Sequence, residues 1–163
     1  MNEAGRIRKA TPDDVPRTMA LIRELAEYER AADAVRTDEA VLLEDGFGAD
    51  PAYGLFVVEP ADRDEVVGIA LYYQKYSTWN GRCLFLEDLV VTRSERGNGY
   101  GVQLFSAVAA EAVRRNCAYL QWQVLDWNTP AVDFYRSLGA EISSEWWNGK
   151  LEGDALRVLA GRG

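Results

Sequence analysis

Three alternating glycines stand in Arg96-Gly97-Asn98-Gly99-Tyr100-Gly101. The run follows an apolar stretch, Leu84 to Val91, and opens an apolar-periodic one. That order predicts a strand, a glycine turn and a helix N-terminus in succession. Glycine admits positive φ and lets bare backbone N–H groups approach a ligand. The helix start adds unpaired N–H groups and the positive end of its dipole. Together they form an anion site suited to the phosphates of a cofactor. Just before the turn, Glu87 and Asp88 interrupt an otherwise apolar strand. Two buried, unpaired carboxylates there would be costly. Strand alternation sends them to opposite faces, unless a bulge redirects the chain.

The spacing excludes two common phosphate folds. A dinucleotide fingerprint needs its third glycine one residue later, where this chain has Val102, and a P-loop needs Gly-Lys-Ser/Thr. The absence of any His removes Ser-His-Asp and Cys-His chemistry and most zinc sites. Acid–base work then falls to Glu, Asp, Tyr, Cys or Lys. Cys83 and Cys117 sit in no metal-like cluster and read as free thiols; no metal is expected. A net charge of −8 argues against a nucleic-acid partner and is compatible with a cationic one.

The positioning elements follow from pattern. With 163 residues and 48% hydrophobic content, the chain suits one domain over residues 1–163. No apolar run is long enough for a membrane span. Residues 1–6 lack a signal-peptide core, so the expected location is cytoplasmic. Arg6 to Ala10 reads as a strand. A helix follows with Thr11 or Asp13 as its cap and Val15, Met19, Ile22 and Ala26 as its apolar stripe, ending near Tyr28. Thr37 to Glu44 reads as a short helix. Tyr53 to Glu59 and Val66 to Tyr76 form a hairpin, with Arg82 to Thr92 as the third meander strand. The helix after the glycines carries Val102, Phe105, Val108, Ala109, Ala112 and Val113 on one side. Tyr119 to Leu125 alternates as a strand, and Thr129-Pro130 opens a helix closed by Gly139 at C′. Glu145 to Leu151 is expected as a last strand and Gly153 to Ala160 as a terminal helix. The order β-α-α-β-β-β-α-β-α-β means an α/β mixed sheet with helices on both faces.

The glycine motif after Leu86-Glu87-Asp88-Leu89-Val90-Val91 resembles the acetyl-CoA motif of the GNAT N-acetyltransferases. Leu43 to Gly48, the Trp79-x-Gly81 turn and Trp127-Asn128…Phe134-Tyr135…Gly139-Ala140 are similar to the spermidine/spermine (diamine) and thialysine branch of that family. The resemblance runs from Arg6 to Leu159. It implies the GNAT fold, acetyl-CoA as co-substrate, a small primary amine as acceptor, a homodimer and direct transfer in a ternary complex. The competing readings are a protein amine as acceptor and a non-catalytic acyl-CoA-binding or sensing module. The second has no use for both Glu87 and Tyr135.

The same resemblance implies the site residues. Backbone N–H groups of Gly97, Asn98, Gly99, Tyr100, Gly101 and Val102 hold the pyrophosphate, with Arg96 beside them. Leu89, Val90 and Val91 pair with the pantetheine arm like an added strand. Asn128, Thr129, Pro130 and Ala131 contact the arm from the other side. Glu87 takes the amine proton through water, and Tyr135 protonates the departing thiolate, as a phenol of pKa about 10 can. Tyr28, Glu29, Trp79, Asp88, Gln121, Trp122 and Gln123 line the acceptor site. The polyamine enzymes carry an Asp-Pro pair before the tryptophan, where this chain has Ser77-Thr78. The missing carboxylate tilts the acceptor toward a shorter diamine or a lysine-like amino acid.

Overall fold

Apolar alternation and glycine punctuation in the first three quarters of the chain build a single five-stranded sheet. The structure, a computed structural model, describes residues 4–162. Met1 to Glu3 and Gly163, which belong to the N-terminal and single-domain readings above, lie outside the described residues. The backbone groups into two units, one ending at Gln123 and one starting at Val124.

In the first unit the strands are β1 (Arg6–Lys9), β2 (Gly54–Glu59), β3 (Gly68–Ser77), β4 (Gly81–Val91) and β5 (Leu120–Trp122), ordered β1-β2-β3-β4-β5. β1 to β4 pair antiparallel and β5 adds in parallel, so the sheet is mixed, as expected. Its helices are α1 (Val15–Tyr28), α2 (Glu39–Phe47) and α3 (Tyr100–Arg114). Leu21 of α1 packs with Leu55, Val57, Ile69 and Val90 on one face of the sheet. Tyr100, Leu104, Val108 and Ala112 of α3 pack with Val58, Ala70, Tyr72, Leu84 and Leu86 on the other. Residues of each face come from the alternate positions of β2, β3 and β4, which is the strand period at work.

Two local expectations are corrected in this unit. The α1 cap is Asp14, because Thr11 instead opens a 3-10 turn over Pro12–Asp14, where its N–H donates to the Asp14 carboxylate at 2.7 Å. Asp14 also receives both arms of Arg8, at 2.7 and 2.9 Å, which lower its pKa. The buried stripe of α3 is rotated from the one expected: Leu104 replaces Val102, while Val102 and Val113 face solvent. A starting residue of Tyr100, anchored in the core, sets that rotation.

The second unit holds α4 (Thr129–Ser137) and α5 (Gly153–Ala160). Asn128 caps α4 by accepting from the Ala131 N–H, and Gly139 has φ +86 just past its end, so both ends form as the local sequence directs. The strand expected from Glu145 to Leu151 does not form; among the described residues that segment carries no regular structure. Trp146 and Trp147 are 84% and 97% exposed, so alternation hides neither. A strand needs a ladder partner, and this segment pairs with none of the five described strands. The observed order therefore ends α4-α5 rather than helix-strand.

Candidate active site

β4 ends at Val91 and the chain turns through a 3-10 segment, Arg93–Glu95, into the glycines. Gly97 and Gly99 both have φ +83, a left-handed conformation that side chains disfavour. A Cβ at either would meet nothing within 4 Å. Backbone conformation, not space, therefore demands glycine here. Gly99 is the α3 N-cap, and its carbonyl accepts the first helical bond from Gln103 N–H, at 3.2 Å. The N–H groups of Tyr100, Gly101 and Val102 lie in the first turn, where no helical acceptor exists. Their direction and the helix dipole suit a phosphate oxygen. The Tyr100 side chain is buried in the core, so Tyr100 can serve an anion only through its backbone. Asn98 donates its side chain to Glu95 at 3.1 Å, which steadies the loop.

β5 pairs with β4 only from Leu84 to Leu86. Past that point β4 keeps β3 as its neighbour, and no described strand pairs with its other edge. Thr92 N–H donates to Val67 O, on the β3 side, at 2.8 Å. By alternation the backbone groups of Leu89 and Val91 point to the open edge, and those of Val90 point to β3. The open edge is what an extended pantetheine arm requires. Val90 anchors that edge through its buried side chain.

The bulge decides where the carboxylates go. Tyr72 pairs with Leu86 and Leu71 pairs with Asp88, so Glu87 is the extra residue of β4. Leu86 lies in the cluster under α3, whereas Asp88 stands opposite Leu71, which packs under α1. In a regular strand residues 86 and 88 would share a face. Tyr73, two residues from Leu71 on β3, has the Glu87 carboxylate beside its phenol, and its ring stacks on Phe85 at 5.2 Å. Both carboxylates thus serve the α1 side, contrary to simple alternation. Glu29, the C-cap of α1, joins them electrostatically. Burial, then the charges of Glu87 and Glu29, pushes Asp88 up to about 6. Burial also raises Glu29, and burial followed by Glu87 raises the Tyr73 phenol. This side of the sheet therefore favours binding a cation and can hold a proton near neutrality.

The remaining candidates divide. Arg96 donates from Nε to Val91 O at 3.0 Å, and its guanidinium lies 5.3 Å from the Tyr28 ring centre. Trp79 is 89% exposed at the tip of the β3–β4 hairpin. At about 3.3 Å per residue it lies roughly 20 Å along β4 from Glu87, so the chain does not bring it to the carboxylates. Trp122 packs edge-on against Phe105 at 5.1 Å, on the α3 side, as a core residue. Gln121 takes a hydrogen bond from Lys75, and Gln121 and Gln123 are exposed. In the second unit Asn128 uses its side-chain oxygen for the helix cap, Thr129 and Pro130 are exposed, and Tyr135 is buried with Phe134 edge-on at 5.1 Å. Two residues escaped the sequence reading. Tyr73 was legible from the hairpin register, which sets it opposite Phe85; Glu24, described below, carried no signal beyond its place on α1. Among the described residues no group of His, Cys, Asp or Glu is placed to hold a metal ion, and no helix is long and apolar enough to cross a membrane.

Comparison with known proteins agrees with this architecture. Residues 19–140 match the family model described as "Acetyltransferase (GNAT) family". The chain is 43% identical over 165 residues to a thialysine N-epsilon-acetyltransferase of Bos taurus, covering 96% of this chain and 97% of that protein. It is 36% identical over 145 residues to spermidine/spermine N(1)-acetyltransferase-like protein 1 of Homo sapiens, covering 85% of this chain and 21% of that protein. An integron cassette protein from the mobile metagenome of V. cholerae superposes with a TM-score of 0.76 at 26% identity, over 97% of this chain and 98% of its own. With a glycine turn at a helix start, an open strand edge beside it and a matched sequence from α1 to α4, the chain belongs to the GNAT acetyltransferase family and is an N-acetyltransferase.

Proposed function

We propose that the protein transfers the acetyl group of acetyl-CoA to a primary amine of a lysine-like amino acid or short diamine, by direct attack in a ternary complex. The observation that carries this reading is the bulge at Glu87. It gathers Glu87, Asp88 and Glu29 on the α1 side of the strand whose open edge leads to the glycine turn. The turn fits the co-substrate: two glycines in the left-handed region expose the N–H groups of Tyr100 to Val102 for the pyrophosphate. Leu89 and Val91 offer backbone groups to the pantetheine arm, and Arg96 is held beside the turn by Val91 O.

When bound, acetyl-CoA supplies a thioester whose carbonyl carbon the amine nitrogen attacks. A free alkyl ammonium has a pKa of about 10.4, so the nucleophile must first lose a proton. Glu87, exposed and beside the Tyr73 phenol, accepts it through water. Asp88 and Glu29 hold the remaining positive charge of the acceptor beside the reacting nitrogen. A backbone N–H of the β4 edge polarises the carbonyl. As the C–S bond breaks, the electron pair goes to sulfur and Tyr135 gives its proton there.

The acceptor class rests on Ser77-Thr78, which lacks a carboxylate for a long polycation, and on the similarity to thialysine enzymes. CoA release should be measured against thialysine, lysine, putrescine and spermidine. Thialysine is expected to exceed spermidine in kcat/KM by about tenfold, near 1.4 kcal/mol of discrimination. Turnover of spermidine alone would reverse the assignment. The reading also includes a cytoplasmic homodimer in which the exposed Trp146–Trp147 segment is covered, and it excludes membranes and nucleic acid as partners.

Gly99→Ala tests the turn itself. Forcing a Cβ into the left-handed region costs about 1–2 kcal/mol. The strained folded state should lower the thermal midpoint by roughly 2–8 °C, although no neighbour is struck. The CoA Kd, read by calorimetry, is expected to rise about tenfold as the turn shifts to relieve the strain. An unchanged Kd would remove the turn from the site.

A further inference from the structure

The segment that leads from β4 into the glycine turn is gripped by one face of α1. Glu24 and Tyr28 are four residues apart on that helix and so lie on the same face, one turn apart. Thr92 donates its hydroxyl to Glu24 Oε2 at 2.8 Å, and Arg93 donates its N–H to Glu24 Oε1 at 2.7 Å. Arg93 opens the 3-10 turn, where an N–H has no acceptor within the turn, and the Thr92 cap supplies no side-chain bond. Glu24 supplies that acceptor from another element. One turn further along α1, Tyr28 carries the Arg96 guanidinium on its ring, and an Arg96 NH2 sits 3.8 Å from Glu24. Arg96 also binds Val91 O, so it ties α1 to the open edge of β4. On the other side of the segment, Glu95 accepts from Arg63 at 2.5 Å and from Asn98 at 3.1 Å.

We propose that Glu24 is a positioning residue. By fixing Thr92 to Arg96 against α1, it sets the cofactor turn and the acceptor-side pair Tyr28-Glu29 in one geometry, so that CoA and amine binding reinforce each other. The coupling rests on the acetyl-transfer reading above; the positioning of the turn does not. The glycine turn cannot shift without moving Arg96 across Tyr28 or stretching the two bonds to Glu24. Whatever fixes the turn therefore fixes the end of α1. Linkage makes the effect reciprocal: an amine held at that end of α1 tightens CoA as much as CoA tightens the amine.

Both Glu24 oxygens are used as acceptors, but charge is not what the loop requires. In Glu24→Gln the amide that replaces the carboxylate can accept from Arg93 N–H and donate to the Thr92 oxygen, whereas the methyl group of Glu24→Ala can do neither. The test is a titration of CoA by tryptophan fluorescence, without and with saturating thialysine, alongside steady-state kinetics. Thialysine is expected to lower the wild-type CoA Kd about fivefold, a typical coupling. Glu24→Ala should raise the CoA Kd about tenfold through loss of its two hydrogen bonds to Thr92 and Arg93, and abolish that drop. Its kcat should stay within about threefold of wild type, because no reacting atom is touched. Glu24→Gln should restore both constants. Thr92→Val, which leaves Glu24 in place, should give an intermediate loss, and it decides the matter if Glu24→Ala fails to fold. Wild-type CoA affinity and coupling in Glu24→Ala, or a lowered thermal midpoint with both constants intact, would overturn the proposal. A wild type that binds CoA yet responds to no amine overturns the acceptor reading and the coupling. Glu24 then stands or falls on the CoA Kd alone.

Discussion

Replacing Asp88 by asparagine is expected to stabilise the protein and disable it at once. Asp88 is held up to about 6 by burial and by the charges of Glu87 and Glu29. An unfolded aspartate titrates near 3.9, so the shift of roughly two units corresponds to about 3 kcal/mol spent on ionising Asp88 in the folded state. The sign follows from proton binding. Between about pH 4 and 6 the folded state holds the proton and the unfolded state has lost it, so stability falls as pH rises through that window. Above about 6 the full cost is present. In Asp88→Asn the side chain cannot ionise, but its buried amide carries a desolvation cost of its own, leaving a gain of about 2 kcal/mol. At this chain length each kcal/mol moves the thermal midpoint by roughly 2–4 °C, so a rise of about 5 °C is expected at pH 7.5. The gain should shrink below pH 6 and give way near pH 4 to a small deficit of about 1 kcal/mol, the cost of the buried amide alone. Over the same range wild-type kcat/KM should rise with pH through about 6, as Asp88 becomes the anion that holds the acceptor. The variant should lose that limb and about 100-fold of kcat/KM, the scale of one desolvated ionic contact. Paired melting curves and rate profiles check both. A variant that still melts above the wild type at pH 4 would mean that charge is not the source of its gain.

Tyr135→Phe is expected to cost more in rate and almost nothing in binding. In the proposed reaction Tyr135 gives its proton to the departing thiolate, and a positioned general acid contributes about 10²–10⁴-fold. Removal of one oxygen from a buried ring leaves the edge-on contact with Phe134 in place. The kcat should therefore fall about 100-fold or more, while the CoA Kd stays within about threefold. Single-turnover measurements with thialysine separate this from a change in product release. A kcat within threefold of wild type would hand the acid role to another group or to water.

Much of the site was legible because its determinants are short-range. Gly97 and Gly99 announce a left-handed turn wherever they stand, and an apolar run before them with an apolar-periodic one after them makes that turn a strand-to-helix junction. Asn128-Thr129-Pro130 and Gly139 mark the ends of α4 within a few residues. The β2–β3 hairpin and the third meander strand follow from alternation and from the turn residues between them. Each of these depends on φ preferences or caps that act within one turn of the chain.

What the sequence by itself determined is thus the list of elements up to α4 and the left-handed glycine turn at the start of α3. Only the tertiary structure decided how Glu87 and Asp88 are aimed. Their aim depends on the register between β3 and β4, in which Leu71 and Tyr72 oppose Asp88 and Leu86. A single extra residue inverts the face of everything beyond it, and nothing in the local pattern reports that. The same holds for Arg96, whose neighbours Glu24 and Tyr28 come from a helix far away in sequence, and for the α3 stripe, whose rotation Tyr100 sets in the core. The Glu145 to Leu151 segment has strand-like residues but no partner among the five described strands. Local preference proposes a strand; only a paired edge makes one, because each strand's backbone groups must be satisfied by a neighbour.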